Sequence, residues 1–339
     1  MTPPQRVPAP RPVPGLVWAF RFRADGEAEL LPTDRPLDLD EFHEPGPGEW
    51  LWLHFNLTDL RACDWIASAA QFPQPARALL LSTDDHQQLH VRDTCLFGVL
   101  TDLKRDLDRV SQKTGRLRFA ITEHIAVSGR RHALQSVEAT RHAIESGRRL
   151  TTAAALLEAI VEHIAETIGH IAEDLATQLD QIEDRVLDER TRDESQKLGR
   201  LRRTAVRLHR PLVGLRALLH RLDSERVNQL KPELRFAAER LAQRLDGLDN
   251  EVIALQERAR LLQEECAAKI AAETNRNLYV LSILTALFLP PTLVAGIFGM
   301  NTGGLPLTDI HSGFLWAIVL CIAAAGGVYW RLRKMGLFG

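Results

Sequence analysis

Residues Asn275–Asn301, NRNLYVLSILTALFLPPTLVAGIFGMN, set the architecture of this 339-residue chain. Leu278 to Phe298 is apolar for 21 residues without one charge. At ~1.5 Å per residue, about 20 residues cross a ~30 Å hydrocarbon core as a helix. The run closes on Gly299-Met300-Asn301, and a second apolar run, Phe314–Trp330, follows a short loop. Two spans behind roughly 275 mostly polar residues describe a large water-soluble portion joined to a small membrane domain.

Composition conceals the spans, because a quarter of the residues are charged and the net charge is only -2. That balance gives no support to a nucleic-acid partner. Cys63, Cys95, Cys266 and Cys321 are scattered without a CxxC pair, which argues against a zinc ribbon or a disulfide framework. Residues 1–15, MTPPQRVPAPRPVPG, are proline-rich without an apolar core, and are expected to be a disordered leader rather than a secretory signal.

Charge bias orients the spans. Arg331, Arg333 and Lys334 open a basic tail (331–339), whereas the loop Thr302–Ser312 has no lysine or arginine and carries only Asp309 and His311 as ionisable groups. The C-terminus is therefore expected in the cytoplasm and the loop outside. Two spans return the N-terminal portion to the cytoplasm, and Lys269 and Arg276 before the first span agree.

Residues 16–150 read as an α/β domain. Trp50–Phe55, Thr94–Leu100 and Leu117–Val127 have strand character, and Leu60–Ala70 and Pro75–Leu81 look helical. From Leu150 onward no strand signal remains. Thr151–Leu187 keeps Leu156, Ile160, Ile164, Ile168, Ile171, Leu175, Leu179, Ile182 and Val186 at three- and four-residue intervals, an amphipathic helix. A second helix is expected from about Ser195 to Leu230, bent at Pro211, so that 151–230 forms antiparallel helices. A third starts near Pro232 and merges without a breaker into the first span, giving a long stalk (231–277) and a span (278–298) with Pro290-Pro291 inside it.

Asn275, Leu278, Ser282, Thr285, Leu289, Thr292 and Gly296 recur at intervals of three and four, so they share one face of the first span. Lipid cannot satisfy amide and hydroxyl groups, so this face needs protein or water opposite it. A packing seam between helices is one reading. The polar GMN-TGG segment that follows favours the other, a cavity lining, and with two helices per chain a pore requires several copies. Such a pore alternates neutral polar rings (Asn275, Thr285, Thr292, Asn301) with apolar constrictions at Leu278, Leu281 or Ser282, and Leu289. Neutral oxygens suit outer-shell contact with a hydrated divalent ion, and leucine rings gate by dewetting.

The Gly-Met-Asn triplet closing FLPPTLVAGIFGMN resembles the CorA-type two-transmembrane metal-ion transporters. The resemblance implies a funnel-shaped homopentamer of α/β cytoplasmic domains, long stalk helices and a pore lined by the first span, in the inner membrane with both termini cytoplasmic. It assigns the outer pore mouth to Gly299, Met300 and Asn301, pore positions to Ser282, Thr285 and Thr292, and the inner mouth to Asn275 and Leu278. Asn301-Thr302-Gly303-Gly304-Leu305-Pro306 is similar to the signature of the ZntB zinc transporters, and the Met-Pro-Glu of the magnesium branch is absent. Zinc is thus the expected cargo, with Mg²⁺ or Co²⁺ as the alternative and Ni²⁺ and Cd²⁺ as further cargo ions. No prosthetic group is expected. The resemblance also implies proton coupling, but neither span holds a carboxylate or imidazole. Asp309 and His311 in the outer loop (299–313) are the candidates, against an ordinary solvated loop.

Two histidine groups in the cytoplasmic portion have metal-ligand spacing. His86 and His90 lie four apart beside Asp84 and Asp85, where the alternative is a polar turn leading into a strand. His163, Glu166 and His170 share one helical face, where the alternative is a solvated surface. Glu257, Glu264 and Glu265 either focus cations along the stalk or pair within the helix. No P-loop, GxSxG, HExxH or GxGxxG stands in a suitable context, so an enzyme is not expected.

Overall fold

The computed structural model describes residues 13–33, 46–92, 94–105, 110–187, 194–223, 232–300 and 313–334. Two compact units divide the chain: Met1–Asp188 with Gln196–Leu262, and Glu189–Ser195 with Gln263–Gly339.

The first unit is built on strands β1 (Leu16–Phe22), β2 (Ala28–Leu31), β3 (Trp50–Asn56), β4 (Gln88–Arg92), β5 (Cys95–Arg105), β6 (Val110–Ile121) and β7 (Ile125–Arg130). They form one sheet in the order β2-β1-β3-β7-β6-β5-β4. Every pairing is antiparallel except β3 with β7. β3 reads WLWLHFN without polar alternation because both of its faces are covered. Leu51, Leu53 and Phe55 join the core with Ala62 and Ile66 of α1 (Leu60–Ser68) and Ala76 and Leu80 of α2 (Gln74–Leu81). On the other face Trp50 stacks on Phe22 with centroids 3.9 Å apart, and its indole N–H donates to Leu150 O at 3.2 Å.

His54, on that same face, is fully buried. Burial, then the Arg130 guanidinium, hold its imidazole well below the usual histidine pKa, so the ring is neutral. Arg130 Nε donates to His54 Nε2 at 3.0 Å, which leaves Nδ1 to carry the proton toward Ser128 Oγ at 2.7 Å.

Helix α3 (Gln135–Glu145) lies on β5 and begins without a capping side chain of its own, since its N-cap is Leu134. Asp102 of β5 does the capping from outside. Its carboxylate accepts from Ser136 N at 3.0 Å and from Ser136 Oγ at 2.8 Å.

Helices α4 (Ala153–Leu187), α5 (Glu194–Asp223) and α6 (Pro232–Phe298) follow the expected amphipathic pattern. The α4 positions from Leu156 to Val186 named above are buried, apart from Ile171, which is half-buried. Arg240 reaches Glu158 and Arg258 reaches Asp180 and Glu183, so α6 runs parallel to α4. His209 and Arg216 of α5 both bond Asp249 of α6, and Arg216 also reaches Asp246, so α5 runs antiparallel to α6. α5 continues through Pro211 as one helix.

Several boundaries differ from the sequence reading. Val13, inside the expected leader, is buried in the sheet core, so that leader ends earlier; residues 1–12 lie outside the described residues. Leu117–Val127 is not one strand but the end of β6 and the start of β7, separated at Thr122-Glu123-His124. Thr122 Oγ1 closes that turn by accepting from Ile125 N at 3.2 Å. β1, β2 and α3 add to the elements read from the sequence, and the strand expected after the Asp84-Asp85 turn is β4.

Candidate functional site

In the second unit α6 continues through the first apolar run, and α7 (Gly313–Lys334) carries the second. Both are long and apolar enough to cross a membrane. Their less exposed positions fall on one stripe of each helix. On α6 these are Ile283, Ala286, Leu287, Pro290, Pro291, Val294 and Phe298. On α7 they are Ala317, Cys321, Ala324, Ala325, Val328 and Leu332. Cys321 Sγ lies 3.6 Å from Pro291 O, so these are the faces that meet. Small residues on α7 let the backbones come close. Proline at 290 and 291 removes the N–H groups that would bond the carbonyls of Ala286 and Leu287, on this same side of the helix.

Asn275, Leu278, Leu281, Ser282, Thr285, Leu289, Thr292 and Gly296 are all exposed, and none belongs to the α7 seam. Leu281, Thr285, Leu289, Thr292 and Gly296 of this face border a shallow open groove together with Leu284, Phe288, Leu293, Ile297 and Met300. The packing-seam reading of the stripe therefore does not describe contact within one chain. Each hydroxyl on it spends its proton locally. Ser282 Oγ donates to Leu278 O at 2.8 Å, Thr285 Oγ1 to Leu281 O at 2.8 Å, and Thr292 Oγ1 to Phe288 O at 2.7 Å. What remains free on each oxygen is acceptor capacity.

The helix ends as Gly299 N bonds Ala295 O at 2.9 Å and Met300 N bonds Ile297 O at 3.3 Å. Gly299 and Met300 are exposed at this end of the groove face. Asn301, Asp309 and His311 lie outside the described residues.

The metal candidates of the first unit do not come together as ligand sets. No helix carries His86 and His90: His86 sits in a bend and His90 on β4. His86 Nδ1 is held by Asp84 Oδ1 at 2.6 Å and His90 Nε2 by Gln88 Oε1 at 3.1 Å. The polar Asp-Asp-His turn runs into a strand, so the local backbone overrides the helical spacing. On α4, His163 turns to Ala159 O and Thr140, Glu166 pairs with Arg244, and His170 pairs with Glu173. Among the described residues no group of three or more His, Cys, Asp or Glu is placed to hold a metal. Of the α6 acids, Glu257 pairs with Arg260 at 2.7 Å and Glu265 with Lys269 at 3.0 Å. The Arg260 hydrogen bond lowers the Glu257 carboxyl below its ordinary range.

The sequence reading missed two buried carboxylates, Asp102 and Asp249, which organise the first unit. Their signal was present: Asp102 interrupts the apolar strand CLFGVLTDL, and Asp249 sits between Leu245, Leu248 and Val252 on a buried stripe.

A family model described as CorA-like Mg2+ transporter protein matches residues 47–334. The chain belongs to that family. It is thus a CorA-family member, of a family of divalent-cation transporters set in membranes. The chain is 25% identical over 324 residues to the zinc transport protein ZntB of Klebsiella pneumoniae, covering 95% of this chain and 96% of that one. It is 27% identical over 323 residues to the divalent cation transporter CmaX of Pseudomonas aeruginosa, with 95% and 96% covered. The structure of the full-length CmaX protein superposes with a TM-score of 0.79 at 26% identity, covering 94% of this chain and 97% of that one. The α/β portion, long helix and two apolar C-terminal helices are those of the CorA and ZntB fold.

Proposed function

We propose that this CorA-family chain moves Zn²⁺ across the inner membrane along a path lined by the exposed face of α6. The observation that carries this reading is the row of hydroxyl oxygens at Ser282, Thr285 and Thr292, exposed and with their protons already donated to the helix backbone. A hydrated dication presents water protons outward, and a lining of acceptors without donors is complementary to that shell. The row holds no carboxylate to trap the ion, and leucines at 278, 281 and 289 supply apolar constrictions that close by dewetting.

One chain cannot enclose such a path. Copies assemble as a homopentamer with the α6 faces inward and the α7 helices toward lipid, both termini in the cytoplasm, and Asn301 in a ring at the outer mouth. Inward movement of a dication is favoured by a membrane potential negative inside, at ~2.3 kcal/mol per charge per 100 mV. Asp309 and His311 are the groups proposed to couple a proton, since they are the ionisable side chains of the outer loop.

The Gly303-Gly304-Leu305-Pro306 sequence after Asn301 and the ZntB relative support zinc. The family model's own description supports Mg²⁺, with Co²⁺, as the second reading. Competitive flux of Zn²⁺, Co²⁺, Ni²⁺ and Mg²⁺ into proteoliposomes, with and without a pH gradient, separates the two. Zinc uptake that a pH gradient accelerates is the expected result. Dominant Mg²⁺ flux with zinc acting only as a blocker refutes the choice of zinc, and no flux above empty vesicles refutes transport by this chain alone.

A further inference from the structure

Thr114, Arg116 and Arg118 alternate along β6, so they share one face of the sheet. It is the face covered by α1 and α2, because Ala120, the next position in the row, belongs to that core. The row runs on past the end of α2 at Leu81 and passes beneath the turn that carries Asp84 and Asp85. There it lines a cleft of 330 Å³, together with Lys104, Arg131 and His132.

The charge in this cleft is out of balance. Arg118 has a side chain only 1% exposed, and its Nη2 donates to Asp84 O at 2.8 Å and Asp85 Oδ1 at 3.0 Å. Its Nε is buried with no partner among the described residues. Arg116 Nε and Arg131 Nη2 reach only backbone carbonyls, Asp85 O at 2.5 Å and Ser82 O at 3.2 Å. Among the described residues Lys104 makes no ion pair. Four cationic side chains thus face one carboxylate, Asp85, which is itself 68% exposed. A guanidinium taken out of water is costly unless a counter-charge accompanies it, and its planar fork matches a phosphate or carboxylate.

We propose that this cleft binds a small phosphate-bearing anion. The phosphate oxygens accept from the free N–H groups of Arg116 and from Lys104 Nζ at the rim, while the buried Arg118 guanidinium and Arg131 supply the charge behind them. The inference concerns a ligand of the cytoplasmic portion and does not rest on the cation path of α6, so flux and binding fail independently.

Equilibrium dialysis of radiolabelled pyrophosphate against the detergent-solubilised full-length protein, at fixed ionic strength, tests it. Saturable binding of one anion per chain is expected. Removing Arg118 risks the fold, so the informative variant is Lys104→Ala with Arg116→Gln at the rim, checked by an unchanged circular dichroism spectrum. That variant is expected to bind about tenfold or more weaker, the scale of one lost charge-assisted hydrogen bond. Arg149→Gln, at an exposed site elsewhere on the domain, is expected to leave binding unchanged. Displacement by inorganic phosphate ahead of ATP assigns a free inorganic anion, and the reverse order assigns a nucleotide; both support the site. Absence of saturable binding, or equal binding by the rim variant, overturns it.

Discussion

Thr285 and Thr292 show how a membrane helix stays apolar in its own bonding yet offers polar oxygen to its surroundings. Each hydroxyl closes on the carbonyl four residues back, so neither threonine carries an unsatisfied donor into the bilayer. Valine has nearly the same shape and no oxygen. The double variant Thr285→Val/Thr292→Val is therefore expected to fold and insert normally while Zn²⁺ flux in proteoliposomes falls at least about tenfold, each lost acceptor being worth on the order of 1 kcal/mol. Flux at the parental rate contradicts a role for these oxygens. The stripe was legible in the sequence because its period of three and four survives in a single continuous helix. The Asp84–His90 segment left two readings open, and the polar turn into a strand is the one found, because four-residue spacing counts only where the backbone is helical.

At the scale of an element, two buried carboxylates do what no cap or apolar contact in the sequence announced. Asp102 starts α3, and burial pushes its carboxyl up to about 6 against the hydrogen bonds that pull it down. A carboxyl whose folded pKa lies above its unfolded value near 3.8 adds stability below that unfolded value, and loses it as pH rises to about 6. The difference is on the order of 3 kcal/mol. Chemical denaturation across that window is expected to show the parent losing stability with rising pH, and the Asp102→Asn variant lacking that component. Identical pH profiles contradict this assignment.

Asp249, with its side chain 2% exposed, clamps α5 to α6 through His209 at 2.6 Å and Arg216 at 2.8 Å. Asp249→Ala takes the shared carboxylate from His209 and leaves Arg216 with Asp246 alone, and is expected to cost about 2 kcal/mol in the same measurement. A loss within 0.5 kcal/mol, the scale of a neutral surface change, contradicts the clamp. Long helices with clear apolar periods were readable to within a few residues: Ala153–Leu187 against 151–187, and Pro232–Phe298 from its proline. Strands β6 and β7 merged in the reading because the turn between them has no glycine or proline and is closed by a threonine hydroxyl. α3 escaped notice because its start signal lies 33 residues upstream, on another strand.

For the whole molecule, the proposed path needs several copies of the α6 face. In detergent the purified protein is expected to have the mass of five chains by light scattering corrected for bound detergent. A strictly monomeric particle is incompatible with a path enclosed by copies of α6. The family match fixes the fold and the class of cargo, whereas the choice of ion and the number of copies lie in the groups that line the assembled path.

The most direct measurement of that path is thiol accessibility during transport. In a background where Cys63, Cys95, Cys266 and Cys321 are replaced, Thr285→Cys places a thiol on the proposed lining and Ile322→Cys places one on the exposed side of α7. A charged, membrane-impermeant thiosulfonate is expected to label Thr285→Cys and abolish Zn²⁺ flux, and to leave Ile322→Cys unlabelled and active. Labelling of Ile322→Cys with loss of flux, while Thr285→Cys stays unreactive, would place the aqueous path on the other helix and contradict the account.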